Sequence, residues 1–226
     1  MPTALHRFLL ACLLLLPLAA HAGDAEDFLA ANPSQQAKLL QDWAAQPDPA
    51  RIELVNALQQ GQLTVNGEPK TVRLNNRLRG LIDNVQASQQ LLAADPTVRL
   101  AAARTLQKSA QPAQLKFLDQ QLASEADDDV HSALSLALAN LQLVDPDPAV
   151  RLAAVRLLGS TGDPLARTRL EALLAPGVET DAGVHTAAET SLAQVKRKLL
   201  VGEILGQAFS GMSLGSILLL AALGLA

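Results

Sequence analysis

Aromatic side chains are nearly missing from this chain, at 2% of 226 residues, with one Trp and no Tyr. Nucleic-acid binding calls for stacking rings and basic patches. With a net charge of −4, the composition excludes nucleic acid as a partner. Cysteine is reduced to Cys12, so no disulfide framework exists, whatever the redox state of the compartment. Charged residues make up only 18%. No nucleophile elbow, phosphate loop or paired Cys–His arrangement occurs, and nothing supports a catalytic residue or a bound cofactor. What is present is a 49% hydrophobic fraction rich in Ala and Leu, which suits packed helices rather than a sheet. The expected fold class is all-α.

The first 22 residues have the pattern of an export signal. His6 and Arg7 precede an apolar run from Phe8 to Leu18, and Ala20-His21-Ala22 is a small-x-small cleavage pattern. Cleavage is expected after Ala22. Leu9-Leu10-Ala11-Cys12 superficially resembles a lipoprotein box, but only four residues separate Arg7 from the cysteine and the apolar run continues past it. Cys12 is therefore read as part of the signal core.

Residues 23–93 read as a helical region with one interruption. Leu39, Leu40 and Trp43 share a face, and Asp48-Pro49 offers a cap and a first-turn proline. Between residues 63 and 74 the period changes. Asn66-Gly67, flanked by β-branched residues, predicts a small β-hairpin that needs helices to pack on. Helix resumes with Leu78, Leu81, Ile82 and Val85 on the buried side.

Residues 94–200 repeat. Asp95-Pro-Thr-Val-Arg-Leu-Ala-Ala recurs from Asp147, an offset of 147 − 95 = 52. Pro112 maps to Pro164, and Leu118 to Leu170. Val130-His131 corresponds to Val184-His185 after a slip of two residues. Each unit holds about three helices, the first opened by Asp-Pro. Ala101 and Ala153 are expected at helix contacts. Units of this kind stack because none buries its apolar stripe alone. The sequence is similar to HEAT-like repeats, which implies a short helical solenoid.

The polar residues of the repeats have structural readings. His131 and His185 occupy equivalent positions, as do Arg99 and Arg151, and all four fit a polar slot at the start of a repeated helix. No metal-ligand spacing surrounds the histidines. Glu125, Asp127, Asp128 and Asp129 precede a helix, where carboxylates complement its dipole, and they lack the pattern of a calcium loop. Arg99 and Arg151, four residues after a capping Asp, are expected to form a ladder of Asp–Arg pairs.

Residues 201–226 carry the functional signal. No charged side chain occurs from Ile204 to Ala226, and as a helix this run covers roughly the 30 Å of a bilayer core. Gly202 and Gly206, then Gly211 and Gly215, recur four apart and are read as one flat strip for helix packing. Ala226 lies inside the run, with no basic flank beyond it, as in a first membrane helix separated from its continuation. Lys196, Arg197 and Lys198 favour a cytoplasmic flank, whereas the signal places it outside. The signal is given precedence because long domains translocate largely regardless of charge.

The string Phe209-Ser-Gly-Met-Ser-Leu-Gly-Ser-Ile-Leu-Leu-Leu-Ala-Ala-Leu-Gly-Leu-Ala226 resembles the first membrane segment of ABC-importer permeases of the branched-chain amino acid type, and most of all the urea-transporter permease subunits. Those subunits carry a signal peptide and a helical-repeat extension, as this chain does. The resemblance implies a transporter subunit rather than an enzyme, set in the bacterial inner membrane with its repeats in the periplasm. Its partners would be a second permease subunit, ATPase subunits that hydrolyse ATP, a periplasmic substrate-binding protein and membrane lipid. The substrate would be urea or a short-chain amide. The remaining membrane helices of that family are absent from the sequence. A membrane-anchored periplasmic HEAT-repeat scaffold is the alternative.

Overall fold

The structure, a computed structural model, describes the backbone of residues 16–224 and the side chains of residues 23–217. Ten α-helices occur among them: α1 (Leu16–Ala30), α2 (Pro33–Ala45), α3 (Ile52–Gln59), α4 (Asn76–Gln90), α5 (Pro96–Ser109), α6 (Leu115–Ser124), α7 (Asp128–Gln142), α8 (Pro148–Ser160), α9 (Pro164–Leu173) and α10 (Ala182–Gly224). Two strands, β1 (Gln62–Val65) and β2 (Glu68–Thr71), form an antiparallel hairpin. The chain is all-α with a small hairpin, as its composition implied. The expected export signal lies outside the described residues up to 15, and the expected cleavage junction, Ala22-Gly23, falls inside α1.

Helix starts follow from local chemistry. An Asp at the N-cap, with Pro in the first turn, opens α5, α8 and α9. The Asp95, Asp147 and Asp163 carboxylates each accept the N–H two residues on, at 2.8 Å. Asn32 caps α2 reciprocally: its side chain accepts from Gln35 N while the Gln35 side chain accepts from Asn32 N, both at 3.0 Å. Such caps satisfy N–H groups that a helix leaves unpaired, and each is worth about 1 kcal/mol.

The chain divides into two compact units, Met1–Ala137 and Leu138–Ala226. The sequence had suggested boundaries at 93/94 and 200/201. Within the first unit α4 packs on α5, the first helix of the repeats.

In the first unit the core gathers Phe28, Leu40, Trp43, Val55, Leu58, Ile82 and Val85. The Phe28 and Trp43 rings lie 5.9 Å apart, and Arg51 sits 5.7 Å over the Trp43 ring while pairing with Asp24 at 2.7 Å. The hairpin turns through Asn66 (φ 52°) and Gly67 (φ 81°), the two left-handed residues that a type I′ turn requires. It is held to the helices by Leu63, buried on the inner face of β1, and by Val72 just after β2.

In the second unit α8 packs closely along α10. A Cβ built on Gly159 would lie 2.7 Å from Ser191 Oγ and 2.8 Å from Ser191 Cβ, so only glycine admits this approach.

The repeated helices are rotated by one residue from the expected register. Ala102, Ala103 and Leu106 are buried in α5, and Ala154, Val155 and Leu158 in α8, while Ala101 and Ala153 face solvent. The stripe follows the second alanine because Leu106 and Leu158, both fully buried, lie one turn after Ala102 and Ala154. Ala102→Leu should therefore overpack the core and cost about 1–3 kcal/mol, while Ala101→Leu should stay within about 0.5 kcal/mol of the parent. Urea-denaturation midpoints of the detergent-solubilised chain measure both. Equal midpoints would mean that the assigned register is wrong.

Candidate functional site

Each repeat is closed by the same clasp. Arg99 Nε and Nη2 donate to the two oxygens of Glu125, each at 2.8 Å, while Nη1 donates to the carbonyls of Ala93 at 3.0 Å and Ala94 at 2.8 Å. In the second unit Arg151 pairs with Glu179 at 2.8 and 3.0 Å, and with the carbonyls of Asp145 and Pro146 at 2.9 and 3.0 Å. One guanidinium thus ties the loop before its own helix to the loop before a helix two elements later. The glutamate side chains are only 5% and 3% exposed. Their second role is toward the chain ahead, where Glu125 Oε1 accepts from Ala126 N and Asp127 N and Glu179 Oε1 from Asp181 N.

The expected ladder of Asp–Arg pairs is therefore corrected. The carboxylates of Asp95 and Asp147 are engaged with the N–H groups of their own first turns. Arg99 and Arg151 are left to reach forward to a glutamate. Within the acidic run the roles also divide. Asp127 caps α7, accepting from Asp129 N at 3.1 Å and Val130 N at 3.0 Å, and Asp128 and Asp129 lie exposed in its first turn. Asp181 caps α10 in the same way through Val184 N at 2.9 Å. Glu179 and Asp181 were not singled out from the sequence, although the offset of 54 that relates His131 to His185 also relates Glu125 to Glu179 and Asp127 to Asp181.

His131 is half-buried, and His185 Nδ1 lies 3.7 Å from Glu189 Oε1, one turn along an exposed helix face. Among the described residues no group of three or more His, Cys, Asp or Glu is placed to hold a metal ion.

The basic triplet before the apolar run belongs to the second unit's own packing. Lys196 pairs with Glu171 at 3.1 Å, and Lys198 Nζ donates to the Ser160 carbonyl. Two of its three cations thus make contacts within the second unit.

The four glycines of the tail all lie on α10, and a Cβ at any of them would meet nothing within 4 Å. They do not form one strip. Gly202 and Gly211 are nine residues apart on an uninterrupted helix, about two and a half turns, so the pair Gly202–Gly206 and the pair Gly211–Gly215 face nearly opposite ways. Spacing four apart aligns residues within a pair, and the five residues from Gly206 to Gly211 break the alignment between pairs. Around them every residue from Leu200 to Ile217 is exposed, and Phe209 and Met212 reach 76% and 74%. Ser216 Oγ bonds the Ser213 carbonyl at 2.7 Å, the local bond expected of a serine in an apolar helix.

Among the described residues no helix is long and apolar enough to cross a membrane. The expected span, residues 204–226, runs past them: side chains from 218 onward lie outside the described residues.

In comparisons with known proteins, no family model matches the chain, and neither does any curated protein or solved structure.

Ionisation of the clasps sets an acid limit on stability. The hydrogen bonds from Arg99 hold the Glu125 carboxyl down at about 2, against the opposing effect of burial, and Arg151 does the same for Glu179, also to about 2. A depressed folded-state pKa contributes stability that is complete above the unfolded value near 4.5 and is lost as pH falls from there toward 2. Glu179→Gln, which keeps the shape but not the charge, should lower stability at pH 7 by on the order of 2–3 kcal/mol. It should also flatten the loss between pH 4.5 and 2. Thermal unfolding across that range measures both effects, and an unchanged acid limb would exclude the clasp as its source.

Proposed function

We propose that this chain is the N-terminal part of the permease subunit of an ABC importer for urea or short-chain amides, with its HEAT-like repeats in the periplasm and α10 leading into the first membrane helix. The observation that carries this reading is α10 itself. The helix is packed against α8 and α9 over its first part, then continues without a break to Gly224. From Leu200 onward it leaves that packing and presents Leu200, Val201, Ile204, Leu205, Leu214 and Ile217 at 51–65% exposure. A largely apolar surface of this extent calls for cover, and lipid or neighbouring membrane helices would supply it along the run beyond Glu203 and Gln207, which share one face.

The resemblance of the string from Phe209 supplies the rest of the reading: the transporter class, the second permease subunit, the ATPase subunits, the periplasmic binding protein and the inner-membrane location. It also makes the chain a non-enzymatic component whose energy comes from ATP hydrolysed by its partners.

The placement of the glycine pairs refines the test. With one pair on each side, a helix inside a permease bundle would have close neighbours on two faces. Gly211→Leu with Gly215→Leu, and separately Gly202→Leu with Gly206→Leu, should leave membrane abundance unchanged and abolish urea-dependent growth of cells carrying the gene. Uptake at the parental level in both double variants, at normal abundance, would overturn the permease reading. It would favour the alternative, a membrane-anchored scaffold whose tail needs no helical neighbour.

A further inference from the structure

The expected cleavage junction, Ala22-Gly23, lies within one continuous helix, and the residues just past it are pinned to the first unit. Asp24 pairs with Arg51 Nε at 2.7 Å, the two side chains being only 25% and 22% exposed. Ala25 is buried, and Glu26 Oε1 accepts from Asn66 Nδ2 in the hairpin turn at 3.2 Å. Phe28 is fully buried against Trp43. Asp24 and Phe28 are four residues apart on α1 and so share a face. Both lead to Trp43, Phe28 by direct ring contact and Asp24 through the Arg51 guanidinium that lies over the same ring. Gly23 itself is exposed, and a Cβ there would meet nothing within 4 Å. The bond is therefore open to solvent, and what protects it is its conformation. An endopeptidase receives the residues around a scissile bond as an extended strand, whereas a helix pairs their N–H and C=O groups internally.

From this we infer that removal of the leader precedes folding of the first unit, and that docking of α1 on Trp43 closes the Ala22-Gly23 bond to the signal peptidase. Hydrolysis adds one water across that bond and leaves a carboxylate on Ala22 and an α-amine on Gly23. Asp24, Glu26 and Asp27 then fall in the first turns of the shortened helix, where carboxylates complement its dipole and the new amine. In the longer helix the same three acids stand mid-chain and have no such role. Only the export signal is required for this order of events, so a permease subunit and an anchored scaffold would behave alike.

The test is cell-free synthesis of the full chain in detergent micelles, with signal peptidase present from the start or added after synthesis and folding are complete. Mass spectrometry reads the fraction of chains that begin at Gly23. Early peptidase should process most chains. Late peptidase should act at least about tenfold more slowly, because cleavage of a folded chain follows the small population in which α1 is undocked. Arg51→Gln, which removes both the partner of Asp24 and the cation over Trp43, should raise the late rate several-fold, and Phe28→Ala should raise it further. Circular dichroism checks that each variant is folded, and Arg51→Gln decides the matter where Phe28→Ala is not. Equal early and late rates would mean that α1 unwinds at Gly23 without undocking, and would overturn the proposal. So would an absence of processing at Ala22-Gly23 in either order, or a parental late rate in folded Arg51→Gln.

Discussion

A buried ion pair is costly unless every donor and acceptor in it is met, and the two Arg–Glu clasps satisfy that condition almost completely. Each guanidinium makes four hydrogen bonds, two to a carboxylate and two to carbonyls at the end of the preceding loop. Each carboxylate in turn receives backbone N–H groups ahead of the next helix. The clasp thereby fixes three things at once: where the first helix of a repeat begins, where the third begins, and how their N-terminal ends stand together. The apolar stripes of α5 and α8 contain alanines as well as leucine, and short side chains tolerate sliding. A bidentate fork does not slide, so it supplies the register that small side chains leave open.

Close helix approach is the second half of the same design. Gly159 against Ser191 brings α8 and α10 nearer than any side chain would allow. Lys198 reaching the Ser160 carbonyl, and Lys196 paired with Glu171, then hold the two partners of α10 along its length up to the point where it leaves them. The first unit reaches rigidity differently, by burying amides. Gln114, fully buried, donates to Ser88 Oγ at 2.7 Å and accepts from Gln111 N at 2.7 Å, and Asn84 donates to the Ser109 carbonyl at 2.7 Å. These contacts join α4 to the elements that follow it within the first unit.

Local features were legible in the sequence because their causes are local. Asp-Pro marked three helix starts, Asn66-Gly67 marked the turn, and Leu78, Leu81, Ile82 and Val85 marked a buried face, each by a rule that spans only a few residues. The repeat offsets were legible too, but not the partners they implied. Arg99 is 26 residues from Glu125, and nothing near the arginine distinguishes that carboxylate from the capping Asp95. The buried face of α5 was misplaced by one residue because Ala101, Ala102 and Ala103 give the pattern no contrast. The glycine strip failed for a geometric reason: two pairs of identical spacing align only if the gap between them also fits the helical period.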